Sequence, residues 1–378
     1  MIKVPLSAPD ITETEIKAVG DVLRTPTLSL GPQLAEFERR IAAYVDAPHA
    51  VAVSSGTAGL HLCVRAFRIT DGDEVITTPF SFIAPANVLL YERAVPVFVD
   101  IDPATLNIDP AKIESAITAK TKAIMVVHVF GRPAPMREIM SIAARHNLIV
   151  IEDACEALGA EYDGQKAGAM GDAGVFAFYP NKQITTGEGG AIVTSNLSIS
   201  KFAKELRNQG RDQSLDWFEH HELGYNYRIS DINCALGIAQ LQRLDDILAM
   251  RAAAARAYHT RLAADARLMT PDLQIDHGRV SWFVYVVRLS RDFSRRDRDD
   301  IVRAMESRGI KCGRYFAPIH LQPLYVKRFG YANGDYPEAE RAAERTIALP
   351  FFNRITAQQV NEVCDELTVC LDEISHGM

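Results

Sequence analysis

The 378-residue sequence predicts an α/β protein, with a large domain built on a mainly parallel sheet flanked by helices and a smaller C-terminal α+β domain. Short β-rich runs alternate with helical stretches through the first half of the chain, a spacing typical of parallel strands joined by crossover helices. A long Ala- and Leu-rich helix, roughly 231–264, then leads into a region with a different pattern. We therefore predict two domains, over residues 1–247 and residues 248–378.

The individual elements follow from periodicity, about 3.6 residues for helices and two for half-buried strands. The first two helices cover residues 10–23 and 33–46. The alternating region contains predicted strands at Ala50–Val53, Glu74–Thr77, Val95–Val99, Ala123–Val127 and Leu148–Glu152, with helices near 58–68, 83–93, 110–119 and 135–146. Later elements are a helix at 197–209, an alternating strand at Val280–Leu289, a charged helix at 296–308 and a final helix at 357–373.

The composition is that of an ordinary soluble globular protein and narrows the possible partners. A net charge of -7 at pH 7 argues against nucleic acid, whose phosphates favour a basic face. No apolar run reaches the roughly 18 residues that span a bilayer, and the first ten residues lack an apolar signal core, so we expect a cytoplasmic protein without a membrane partner. The six cysteines are widely spaced without a C-x-x-C pair, which predicts reduced thiols and no metal site.

Three segments follow predicted strands at the edge where ligands of such sheets collect. Residues 54–59, Ser-Ser-Gly-Thr-Ala-Gly, begin a helix, so their polar groups either cap that helix or bind an anion. Asp153 follows the fifth strand, either as a helix cap or as a carboxylate paired with a cationic ring nitrogen. Phe82 follows the second strand, and its ring is either part of the core or stacks on a flat ligand.

Lys182 lies on a turn between two apolar runs, the first ending at Tyr179-Pro180 and the second covering Ala191–Thr194. A lysine held between two buried strands meets little water, which favours the neutral amine that a Schiff base requires. A solvated loop lysine is the alternative, and this stretch alone does not exclude it.

These segments together resemble one known family. Ordered matches run nearly end to end: S-S-G-T-A-G-L at 54–60, G-D-E-V-I-T-T-P at 72–79, P-V-F-V-D-I-D at 96–102, I-E-D-A at 151–154, F-Y-P-N-K at 178–182, T-T-G-E-G-G at 185–190 and G-Y-N-Y-R at 224–228. On these motifs the chain is similar to the DegT/DnrJ/StrS family of pyridoxal-phosphate sugar aminotransferases. The resemblance implies the fold-type-I architecture, with a seven-stranded sheet in the large domain.

The resemblance also implies pyridoxal 5'-phosphate (PLP, or PMP in its aminated form) as the cofactor. Lys182 is similar to the family's Schiff-base lysine, Asp153 to the partner of the pyridinium nitrogen and Phe82 to the aromatic residue over the ring. The phosphate-binding turn of the family resembles Gly56, Thr57 and Ala58 here.

Other positions are matched with less detail. Asn226 resembles a phosphate ligand supplied by the neighbouring subunit, which implies a homodimer with shared active sites. Arg228, Tyr315 and His320 lie where the family places groups on the substrate side. Glu156 replaces the more usual Gln or His near the cofactor, so its role stays open. Where the family often has a serine that touches the phosphate, this chain has Ala177, which removes one neutral hydrogen bond, about 1 kcal/mol.

The implied reaction moves an amino group from L-glutamate to a keto group of a nucleotide-linked sugar, as in amino-sugar biosynthesis for surface polysaccharides or secondary metabolites. An aminotransferase acting on a cyclitol ketone or another unusual precursor is the nearest alternative. A non-catalytic regulatory member of the fold is another, although we would expect such a protein to lose Lys182 or Asp153. Candidates for binding the diphosphate are Arg207, Arg211, Arg314, Lys327 and Arg328.

Overall fold

The computed structural model describes residues 2–211 and 219–375. The helices are α1 (Glu13–Leu23), α2 (Pro32–Tyr44), α3 (Gly56–Ala66), α4 (Ala84–Tyr91), α5 (Met136–His146), α6 (Leu197–Arg207), α7 (Asp231–Leu241), α8 (Leu244–Leu262), α9 (Arg295–Ser307), α10 (Pro323–Phe329), α11 (Pro337–Arg345) and α12 (Ala357–Ser375). The strands are β1 (His49–Val53), β2 (Glu74–Thr77), β3 (Val95–Phe98), β4 (Thr121–Val127), β5 (Ile149–Asp153), β6 (Glu161–Tyr162), β7 (Gln165–Lys166), β8 (Ala173–Ala177), β9 (Gly190–Thr194), β10 (Leu268–Met269), β11 (Gly278–Arg279), β12 (Tyr285–Leu289) and β13 (Thr346–Leu349).

Seven strands form the main sheet in the order β1-β9-β8-β5-β4-β2-β3. Strands β3, β2, β4, β5 and β8 pair in parallel, whereas β9 runs antiparallel to both of its neighbours. The predicted seven-stranded, mainly parallel sheet is therefore confirmed. Because β1 is antiparallel to β9, it points in the same direction as the five parallel strands, and the carboxyl ends of six strands meet at one edge.

Helices cover both faces of this sheet, which is why its strands read as continuous apolar runs. In β1, Ala50 and Ala52 pack towards α2 and α7. The alternate residues Val51 and Val53 pack towards α3, α4 and α6 on the other face. All four side chains are buried, so no polar face remains on this strand.

A second core lies in the C-terminal part of the chain. The antiparallel sheet β10-β12-β13 packs against α8, α9 and α12 through side chains such as Tyr258, Tyr285, Val287 and Leu367. A third small sheet joins β11 to the β6-β7 hairpin. The predicted boundary at residue 247 falls inside α8.

The N-terminal segment belongs spatially to this C-terminal core. The Lys3 N–H donates to the Gly309 carbonyl at 2.9 Å, and the Lys311 N–H donates to the Val4 carbonyl at 3.0 Å. The Val4 side chain is fully buried among the residues of the second core. The two ends of the chain therefore complete one packed unit.

The helix predicted near 110–119 is wrong. Two short 3-10 turns form there, Pro110–Lys112 and Glu114–Ala116. The segment packs Ile113, Ala116 and Ile117 against the core beside the sheet, but the backbone of Ile117 is extended (φ -76°, ψ 130°), so the second turn ends there.

The single helix predicted over 231–264 is also wrong, because α7 and α8 are separate helices with a break at Gln242 and Arg243. At the break, Arg243 Nη1 lies 2.9 Å from Asp10 Oδ2, and its Nε lies 2.8 Å from Glu15 Oε1. These two ion pairs tie the junction of the helices to the start of the chain.

The strand predicted over Val280–Leu289 is shorter than expected, since β12 begins only at Tyr285. The buried Arg251 guanidinium donates to the carbonyls of Trp282 and Phe283, at 2.6 and 2.7 Å. The first half of the predicted strand therefore accepts hydrogen bonds from Arg251 and does not pair with β13.

All six cysteines carry free thiols, as the sequence predicted. Among the described side chains, no three His, Cys, Asp or Glu residues converge as metal ligands. Within residues 2–211 and 219–375, none of the helices combines the length and apolar character needed to cross a membrane.

Candidate active site

A cavity of about 480 Å³ opens at the carboxyl ends of the parallel strands. Its walls come from the start of α3, the end of β5, the turn between β8 and β9, and two segments of the C-terminal part of the chain. Of the residues predicted to form a site, it is lined by Gly56, Thr57, Phe82, Asp153, Glu156, Lys182 and Tyr315. Residues far apart in sequence meet here because six strands point to this edge.

Lys182 reaches the cavity from the turn after β8. Proline cannot continue the ladder, so the strand stops before Tyr179-Pro180, and the Lys182 N–H closes the turn on the Tyr179 carbonyl at 2.9 Å. The Lys182 Nζ lies 3.6 Å from Glu156 Oε1 and 4.0 Å from the centre of the Phe283 ring. With only 13% of the side chain exposed, the amine is held between a carboxyl group and an aromatic face.

Asp153 is the last residue of β5 and is buried in the wall of the same cavity. Its Oδ1 accepts a hydrogen bond from the Cys155 N–H at 3.1 Å. Burial raises the pKa of the Asp153 carboxyl, whereas the hydrogen bond from Cys155 and the positive charge of Lys182 act in the opposite direction. A cationic N–H group that reached this carboxyl from the cavity would therefore favour its charged form.

Glu156 is the second carboxyl group beside Lys182. Its Oε2 accepts a hydrogen bond from the Phe130 N–H at 2.9 Å. Burial raises the pKa of Glu156, and the neighbouring Lys182 opposes that rise. Phe130 itself has a left-handed backbone, with φ of 58°, which turns its N–H towards the carboxylate.

The first turn of α3 forms another wall of the cavity. Ser55 caps the helix, since its Oγ accepts the Ala58 N–H at 3.0 Å. The N–H groups of Gly56 and Thr57 are in the first turn of the helix, where N–H groups have no hydrogen-bond acceptor within the helix. The helix dipole also favours an anion at this end. A Cβ atom at Gly56 would lie 2.7 Å from the Cys155 sulfur, so glycine is required for this close approach. The Ala58 side chain is buried and lies outside the lining.

Asn226 and Arg228 do not line this cavity in their own chain. Asn226 is exposed and forms an isolated antiparallel bridge with Asn208. Arg228 Nη1 donates to the Asn208 side-chain oxygen at 3.0 Å. Both residues therefore lie on a surface segment that precedes α7.

His320 also lies away from the cavity lining, fully buried beside α11. Its Nε2 is 2.9 Å from Glu340 Oε1, and Glu340 also accepts the backbone N–H groups of Gly334 and Tyr336. His320 thus helps to hold the segment between α10 and α11.

The candidate arginines and lysine for a diphosphate differ in accessibility. Arg207 is buried, and its Nη1 lies 2.6 Å from Glu38 Oε1, so its guanidinium is already used inside the protein. Arg314 pairs with an acidic residue of α9 at 2.7 Å. Lys327 and Arg328 are exposed on α10.

Sequence reasoning missed several residues of the cavity, among them Phe283 and Asn181. Phe283 comes from the C-terminal part of the chain, and no local pattern connects it with Lys182. Asn181 directly precedes Lys182, and its Oδ1 is buried without a hydrogen-bond partner among the described residues. Its place in the F-Y-P-N-K motif, next to Lys182, was the signal that could have identified it.

Comparisons with known proteins match nearly the whole chain. The chain is 38% identical to the GDP-perosamine synthase of Caulobacter vibrioides, over 98% of each chain. It superposes on the PMP-form of the putative sugar aminotransferase Spr1654 from Streptococcus pneumoniae with a TM-score of 0.94 and 28% identity, covering 99% of this chain and 98% of that one. A PLP-form of the same protein matches with the same TM-score.

A further solved structure is Helicobacter pylori PseC, an aminotransferase involved in the biosynthesis of pseudoaminic acid. It matches with a TM-score of 0.93 and 29% identity, covering 98% of this chain and 99% of that one. The sequence profile of the DegT/DnrJ/EryC1/StrS aminotransferase family matches residues 9–368. The chain belongs to the DegT/DnrJ/EryC1/StrS aminotransferase family.

Proposed function

We propose that this aminotransferase uses PLP to move an amino group from L-glutamate to a keto group of a nucleotide-linked sugar. The observation that carries the proposal is one cavity that contains the Lys182 amine, the buried Asp153 carboxyl and the first turn of α3. The name of the Caulobacter relative favours a GDP-linked acceptor among the nucleotide sugars.

The residues of the cavity fit PLP in their chemistry. Lys182 supplies an amine, Asp153 supplies a carboxyl group for a pyridinium nitrogen, and Phe82 supplies an aromatic ring that is 62% exposed. The first turn of α3, which Gly56 allows to pack closely on Cys155 and Ala177, offers N–H groups to a phosphate.

When bound, PLP supplies an electron sink for the negative charge that develops at the carbon losing its proton. Lys182 Nζ is the base placed to take and return that proton, because it faces the cavity and its side chain is largely shielded from water. Asp153, in the same cavity, would hold a negative charge beside a pyridinium nitrogen. Glu156 and the Phe283 ring fix the position of the Lys182 amine.

We further propose that the protein is a homodimer whose subunits share their active sites. Asn226 and Arg228 lie on an exposed segment outside their own cavity, which is where residues that reach a partner's site would lie. We propose that Asn226 of one subunit contacts the phosphate bound in the other, and that Tyr315 and Arg228 contact substrate. His320 would act on the substrate side indirectly, through the segment that Glu340 and His320 hold together.

The experiment is a direct assay of the purified protein with PLP, L-glutamate and a panel of GDP-, UDP- and dTDP-linked ketosugars, following the release of 2-oxoglutarate. We expect release that depends on one of the nucleotide-linked ketosugars and is lost in Lys182→Ala. No release with any of these ketosugars, together with release when a cyclitol ketone is supplied instead, would contradict the proposed acceptor class. Amino transfer by Lys182→Ala at the wild-type rate would contradict the proposed site.

A further inference from the structure

A second cavity, of about 250 Å³, lies between the β10-β12-β13 sheet and the loops that follow β3 and β4. We call it the second cavity. Its walls include Leu106, Val129 and Phe130 on one side and Trp282, Val286 and Arg288 on the other. Lys182 and Asp153 are not among its lining residues, so it is separate from the cavity described above.

The second cavity lies on the face of β12 that points away from the C-terminal core. Tyr285, Val287 and Leu289 point into the C-terminal core. Val286 and Arg288 alternate with them and point to the other face, towards the loops of the large sheet. Those loops cover this face without filling it, and the space that remains has apolar walls with a guanidinium at one end.

The two arginines of the second cavity differ in how they are paired. Arg132 Nη1 lies 2.9 Å from Asp272 Oδ2, in an ion pair whose aspartate is 65% exposed. Arg288 is only partly exposed, and its guanidinium donates a hydrogen bond to the neutral Pro103 carbonyl. Among the described residues, no carboxylate lies within 4.0 Å of its guanidinium. Burial and the nearby Arg345 lower the pKa of Arg288, whereas Asp272 and Asp102 oppose that change from beyond ion-pair distance.

The size and shape of the second cavity limit what it can take. An apolar cavity of about 150 Å³ accommodates benzene, so a volume near 250 Å³ leaves room for a ring and one charged substituent. The apolar walls and Trp282 suit a flat ring, and Arg288 suits a carboxylate or phosphate. We propose that the second cavity is a binding site for a small aromatic anion, an aryl carboxylate or aryl phosphate, whose charged group contacts Arg288 and whose ring packs between Val286 and Trp282.

Trp282 provides the measurement, because the sequence has only two tryptophans and the other is Trp217. In a Trp217→Phe background, the fluorescence of Trp282 is followed while the full-length, PLP-loaded protein is titrated with benzoate, phenyl phosphate or the neutral benzyl alcohol. We expect a saturable change with at least one of the two anions and an affinity at least about tenfold weaker for benzyl alcohol, since a charge-assisted hydrogen bond is lost. The better anion tells whether a carboxylate or a phosphate is preferred.

The variant Arg288→Met keeps most of the apolar stem and removes the charge. We expect it to bind benzoate and phenyl phosphate no better than benzyl alcohol, with an unchanged unfolding midpoint as proof of folding. Arg137→Met is the matched control, because Arg137 is exposed on α5 and outside the second cavity, and it should bind as the parent does. The proposal is overturned if neither anion gives a saturable signal, or if Arg288→Met and the parent bind the anions equally, which would place the ligand elsewhere.

Discussion

At the scale of single residues, the Lys182 amine has a carboxyl group on one side and an aromatic ring on the other. We predict that Lys182→Ala loses the borohydride-reducible absorbance of the PLP-loaded protein and at least about 10²-fold in turnover, because the proton-transferring amine is removed. Absorbance spectra before and after borohydride, together with the 2-oxoglutarate assay, provide the measurement. Lys166→Ala, on the β6-β7 hairpin outside the cavity, is the control, and equal spectra for the two variants would refute the prediction.

Glu156 provides a prediction about pH. Burial raises the pKa of its carboxyl above the ordinary value of 4.5, so the folded chain binds this proton more tightly than the unfolded chain does. Its contribution to the free energy of unfolding is therefore fully present below pH 4.5 and is lost as the pH rises through the folded pKa.

The variant Glu156→Gln lacks this titration. In the cofactor-free protein, its free energy of unfolding relative to wild type should be larger at neutral pH than below pH 4.5, as measured by urea unfolding at the two pH values. Glu13→Gln, on the exposed side of α1, is the matched control. A difference between Glu156→Gln and wild type that stays constant with pH would show that burial does not control this carboxyl.

At the scale of elements, the start of α3 depends on its contact with β8. A Cβ atom at Gly56 would lie 2.8 Å from the Ala177 Cβ and 2.7 Å from the Cys155 sulfur. We predict that Gly56→Ala lowers the free energy of unfolding by about 1–3 kcal/mol through overpacking and weakens PLP binding. Gly20→Ala in α1, where the nearest contact is the flexible Arg24 side chain at 3.4 Å, should raise the free energy of unfolding by up to about 1 kcal/mol. Chemical unfolding of both variants is the measurement, and equal stabilities would contradict the contact.

The alternation of strands and helices could be predicted because buried parallel strands are continuous apolar runs, and β2 has the bounds expected of it, Glu74–Thr77. The break between α7 and α8 could not, because it coincides with ion pairs of Arg243 to residues 233 and 228 positions earlier, Asp10 and Glu15. The helical periodicity of neighbouring residues contains no information about ion-pair partners more than 200 positions away in the sequence.

In the candidate site, too, residues with a local sequence signal could be predicted, and residues placed by distant contacts could not. Lys182, Asp153 and Gly56 each follow a strand with a local signal, and the direction of the strands brings them to one cavity. Their roles in catalysis stay predictions. Phe283 had no such signal, because it reaches the Lys182 amine from the C-terminal part of the chain and is positioned by a hydrogen bond between its carbonyl and Arg251.

At the scale of the whole molecule, the proposed shared active sites can be tested by mixing two inactive variants. The two variants, Lys182→Ala and Asn226→Ala, are unfolded and refolded together to form mixed dimers. If Asn226 acts in the partner's site, a mixed dimer has one site in which both residues are intact. Activity should then return. If Asn226 acted in its own chain, both sites of the mixed dimer would carry a defect and no activity would return. The 2-oxoglutarate assay before and after mixing decides between these outcomes.

The pairing of Lys3 and Val4 with the segment around Gly309 has a consequence for how the protein is made. These two residues are translated before nearly all of the chain, yet the pocket that receives the Val4 side chain includes residues of α12, near the other terminus. The C-terminal core can therefore close only after α12 has been synthesised, so Lys3 and Val4 lack these partners while the strands of the large sheet are being translated.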